Sequence, residues 1–157
     1  MKFTLIKDLK QDAMMKPILS GLLLFILLYL VSDFFVKESS FGLMSSSVKA
    51  TLFGNEEEYV EAISRASFLE FWHIEIFFIM MTVFTLSTVY IRLSKASLVA
   101  IYLVNFMMLS AISSLISLPL SYFYSSLFTN VYVTTFFLWH ILALFSVVYS
   151  LKELHYA

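Results

Sequence analysis

With 157 residues, 61% hydrophobic content, 13% charged residues and a formal net charge of -1, the chain carries more apolar surface than a soluble core of that size can hide. A mean hydropathy of +0.89 points to lipid as the solvent for much of it, and the near-neutral charge excludes the basic field that nucleic acid requires. The absence of cysteine excludes disulfides, thiolate metal sites, iron–sulfur ligation and a cysteine nucleophile.

The first segment sets Phe3, Ile6, Leu9 and Ala13 against Lys7, Lys10 and Lys16, a spacing that predicts an interfacial helix at the inner face. The apolar run that follows, residues 17–36, has Asp33 as its one charge and no small-residue cleavage site. It therefore reads as a retained first transmembrane helix rather than a signal peptide, spanning about 30 Å. Residues 37–70 form a long, acidic connection with Glu38, Glu56, Glu57, Glu58, Glu61 and Glu70. Within it, Gly54-Asn55 followed by Glu56 to Glu58 predicts the start of a juxtamembrane helix, because a capping residue precedes negative charge on the positive dipole end. Residues 71–91 carry only His73 and Glu75 before Arg92 and make the second span. From 96 to 151 there is no Asp, Glu, Lys or Arg, enough for two crossings, 97–119 and 130–151, with the break among Pro119, Ser121, Tyr122, Tyr124 and Asn130.

The fold class is thus an all-α integral membrane protein, a four-transmembrane-helix bundle with an outer-face juxtamembrane helix, residues 1–157 forming one membrane domain. Orientation follows from basic residues in short loops. Seven (Lys2, Lys7, Lys10, Lys16, Arg92, Lys95, Lys152) fall on one side against three (Lys37, Lys49, Arg65) on the other. Both termini are expected in the cytoplasm, in the inner membrane if the source is bacterial.

Histidine inside a span is a functional candidate by default. Phe71-Trp72-His73-Ile74 echoes Leu138-Trp139-His140-Ile141, as a duplicated hairpin would. Paired histidines on facing helices hold haem in four-helix bundles, so His140 and His73 are candidate ligands for haem b, although their depths differ by about 10 Å at the helical rise. Met80 or Met81 is an alternative axial partner for His140. Asp33, Glu70, His73 and Glu75 gather near the outer surface as candidates for a divalent metal or a proton path. Glu75, two residues from His73, points roughly 200° away from it. Asn105 lies at a depth similar to that of His140, and a hydrogen bond between them is the structural alternative. Ser110, Ala111, Ser113, Ser114 and Ser117 mark close helix packing.

No catalytic elbow, phosphate-binding glycine loop or zinc-protease helix is present. Four functions remain, in order of preference: a non-catalytic subunit or accessory factor of a larger membrane complex, a haem- or metal-binding redox protein, a proton-coupled transporter or oligomeric channel using Asp33 and Glu75, and, last, an enzyme acting within the bilayer. The expected partners are lipid and other membrane subunits or further copies of the chain.

Overall fold

The computed structural model describes residues 14–57 and 59–156, and the expected interfacial helix of the first thirteen residues lies outside them. The described residues form five helices: α1 (Met15–Ser40), α2 (Ser45–Phe53), α3 (Arg65–Leu93), α4 (Leu98–Phe123) and α5 (Phe128–Tyr156). Four of them, α1, α3, α4 and α5, are long and apolar enough to cross a membrane, so the chain is a multi-pass membrane protein by architecture. All four outrun the apolar runs that announced them, because a helix keeps satisfying its own backbone beyond the hydrocarbon edge. At their 26 or 29 residues they measure about 39 to 44 Å.

Local chemistry sets the boundaries. Pro17 occupies the first turn of α1, where a missing N–H costs nothing. Ser64 and Ser97 cap α3 and α4, their hydroxyls accepting from the N–H groups of Ser67 and Ala100 at 3.2 and 3.3 Å. Pro119 sits inside α4 rather than at its end. It deprives the Leu115 carbonyl of its usual donor four residues on, and the Trp72 indole N–H of α3 supplies one at 2.9 Å.

The connection between α1 and α3 departs from expectation. A helix does not begin at Gly54-Asn55; α2 ends there. Gly54 has φ +83°, which breaks the helix, and Asn55 exchanges backbone hydrogen bonds with Val60 at 2.8 and 3.0 Å. The Asn55 side chain accepts from the Glu57 N–H at 3.1 Å. The sequence Gly-Asn was thus a helix stop and a tight turn, not a helix start.

α5 is the hub, touching each of the other four helices, with its most extensive contact along α4. Small side chains line the inward faces of both helices: Ser110, Ala111, Ser114 and Ser117 of α4 and Ala143, Ser146 and Ser150 of α5 are all buried, while Ser113 faces out. Larger residues fill the rest of the core, among them Leu23, Leu30, Leu86, Met107, Leu118 and Trp139. Hydrogen bonds tie both ends, Ser45 to Asn130 at the α2 end and Ser20 to His155 at the other.

Candidate functional site: a buried acid–base cluster

Asp33 and Lys37 are four residues apart on α1 and so share a face, and both are buried, at 8% and 2% exposure. Opposite them, α3 presents Glu75, also buried, and the Lys37 ammonium forms an ion pair and hydrogen bond with the Glu75 carboxylate. Lys37 donates a second hydrogen bond to the Tyr132 hydroxyl of α5 at 3.3 Å. Its remaining surroundings are aromatic faces, with ring centroids of Phe71, Phe136 and Tyr132 at 4.8, 5.1 and 5.8 Å, an arrangement that attracts a cation through the ring quadrupole. Deeper along α5, His140 is fully buried. Its Nε2 lies 2.8 Å from the Leu30 carbonyl oxygen, and its Nδ1 lies 3.8 Å from Asp33 Oδ2. Phe34, Phe136 and Trp139 enclose the imidazole, with centroids at 5.4, 5.1 and 4.8 Å.

Two acid–base pairs are therefore stacked between α1, α3 and α5: Lys37 with Glu75 near the α2 end, and His140 with Asp33 further in. The Lys37 pair is fully engaged. In the second, Asp33 Oδ2 and His140 Nδ1 are buried and have no hydrogen-bond partner. An open cavity of about 670 Å³ at the α2 end, lined by Lys49, Asn55, Tyr122 and Ser126 among others, shares no residue with the cluster.

The residues singled out from sequence divide sharply. Asp33, Glu75 and His140 meet in this cluster, whereas Glu70 and His73 are exposed on α3. The cause is helical geometry: Glu75 turns inward, so His73, two positions earlier, turns outward. The four-residue set Asp33, Glu70, His73, Glu75 is not assembled, and among the described residues no group of three or more His, Cys, Asp or Glu side chains is placed to hold a metal ion. His73 and His140 do not face one space either, one being exposed and the other enclosed, and Met80 and Met81 are exposed as well. The Trp-His echo is not matched in burial, since the second copy is wholly inside and the first is not.

The Asn105 to His140 hydrogen bond is not formed. Equal depth brought neither side chain to the other: α4 buries Val104 and Met107, which leaves Asn105 on the outward face, and His140 turns to α1 instead. Sequence reasoning missed Lys37, assigned to the outer connection because it ends the apolar run, and Tyr132. The signal for Lys37 was its four-residue spacing from Asp33; nothing in the sequence marked Tyr132. No family model, curated protein or solved structure matches the chain.

Proposed function

We propose that the chain is a non-catalytic subunit or accessory factor of a larger membrane complex, with both termini in the cytoplasm and α2 on the outer face. Burial of Lys37 in its ion pair with Glu75 supports that orientation, since Lys49 and Arg65 are then the outer-side basic residues left to weigh against the seven inner ones. The observation that carries the subunit reading is the outward face of α4. Leu98, Tyr102, Asn105, Leu109, Ile112 and Ile116 are all exposed, at alternating four- and three-residue spacing, the seam of a helix that packs against another helix. Asn105 in that seam is a side-chain amide turned toward lipid, where its hydrogen bonds have no water to satisfy them, and a polar side chain in a partner span would meet them. A photocrosslinker at position 109, in native membranes, is expected to join the chain to another polypeptide or a second copy. Adducts with lipid alone would refute the reading.

Proton-coupled transport is the second reading, favoured by the burial of Asp33 and Glu75 on neighbouring helices. Proton-driven flux in proteoliposomes that is lost in Glu75→Gln would establish it. The haem and divalent-metal readings draw no support from a ligand set in the described residues.

A further inference from the structure

We infer that Asp33 and His140 form a binding site for one proton, taken from water and held between the carboxylate Oδ2 and the imidazole Nδ1. The argument starts from the Leu30 carbonyl. A carbonyl oxygen only accepts hydrogen bonds, so His140 Nε2, 2.8 Å from it, carries the imidazole hydrogen, and the neutral ring presents a bare lone pair at Nδ1. That lone pair faces Asp33 Oδ2 at 3.8 Å, and neither atom has any other hydrogen-bond partner. Two acceptors thus face each other, buried, beyond hydrogen-bond distance. One proton on either atom turns the pair into a donor and an acceptor, and the gap would close to about 2.7 Å, the length of a charge-assisted hydrogen bond.

The surroundings ask for the same proton. The ionisable groups that act electrostatically on the site are Tyr29, Asp33 and Lys37 of α1, Glu75 of α3, and Tyr132 and His140 of α5. α4 turns Ser110, Ser114 and Ser117 inward and contributes no ionisable group. Lys37 is committed to Glu75 and Tyr132, so two carboxylates stand against one ammonium, and an uncompensated negative charge remains in a medium that penalises it heavily. Hydronium delivers the proton and leaves as water; the cluster then carries no net charge.

This site is independent of the subunit reading, and its test does not depend on a partner. The full chain, with His73→Gln and His155→Gln leaving His140 as the one histidine, would be labelled with ¹⁵N-histidine and ¹³C-aspartate in lipid bilayers and followed by solid-state NMR from alkaline to acid pH. The expected result is a bare Nδ1 beside a protonated Nε2 at alkaline pH, then one transition in which Nδ1 and the Asp33 carboxyl carbon shift at a common midpoint. In Asp33→Asn the amide N–H replaces the proton as a permanent donor, so the Nδ1 transition disappears and Nδ1 stays hydrogen-bonded throughout. A hydrogen on Nδ1 with Nε2 bare, separate midpoints for the two groups, or Nδ1 bare and Asp33 ionised at every pH would each overturn the inference. Should Asp33→Asn fail to fold, the common midpoint in the parent chain decides.

Discussion

Replacing Lys37 by methionine tests whether the ion pair is a structural lock. The substitution keeps a long apolar stem and deletes the ammonium, leaving Glu75 at 7% exposure with neither water nor cation. Breaking a buried pair on one side typically costs about 3–5 kcal/mol. Glu75→Gln is gentler: the amide oxygen still accepts from Lys37, and Tyr132 and the three rings remain around the ammonium, so a loss of about 1–3 kcal/mol is expected. Removing both charges as Lys37→Met with Glu75→Met replaces the pair by apolar volume and should recover most of the cost of the first change. Unfolding in mixed micelles of increasing denaturing-detergent content, read by fluorescence of Trp72 and Trp139, measures all three. A loss below about 1 kcal/mol for Lys37→Met, or a double variant no more stable than Lys37→Met alone, would refute the reasoning.

Trp72→Phe should cost about 1–3 kcal/mol by stranding the Leu115 carbonyl, and much less in a Pro119→Ala background, where alanine restores the intrahelical N–H; equal costs in both backgrounds would show that the indole bond is incidental. Gly42→Ala should destabilise by about 1–3 kcal/mol, because Gly42 has φ +77° and a Cβ there would lie 2.2 Å from Ser47 Cβ; an unshifted detergent midpoint counts against the tight α1–α2 corner. Reporter fusions after Lys95 and at Ala157 should read cytoplasmic and one near Asn55 external, and an external reading at Ala157 overturns the four-crossing count.

Hydropathy made the four long helices legible, because lipid imposes length and apolarity on any span. It made their faces illegible. In a soluble helix the buried side is the apolar side, but in α3, α4 and α5 both sides are apolar, and periodicity cannot say which looks inward. Depth along the axis was readable and rotation about it was not. That is why Asn105 and His140 share a level yet point to different neighbours, and why His73 and Glu75, close in depth, lie on opposite sides of α3. The rule that two residues on one helix separated by two positions face apart did predict the split between them. Charge at a span end misled in another way: Lys37 marked the end of hydropathy but not of the helix, since Glu75 and Tyr132, distant in sequence, compensate it in space.

The distribution of the cluster over the chain has a consequence for biogenesis. Asp33 and Lys37 enter the bilayer with the first helix, long before Glu75, and longer still before Tyr132 and His140, so the nascent first helix must travel with an acid and a base exposed. Their four-residue spacing lets each shield the other, a provisional pairing that makes an isolated α1 tolerable in lipid. Glu75 then recruits Lys37 when α3 arrives, but Asp33 meets His140 only when α5 is threaded. α5 is also the one that touches the other four described helices. Completion of the acid–base cluster consequently waits for the helix that joins the other four, and a chain arrested before α5 would expose its polar residues within the bilayer.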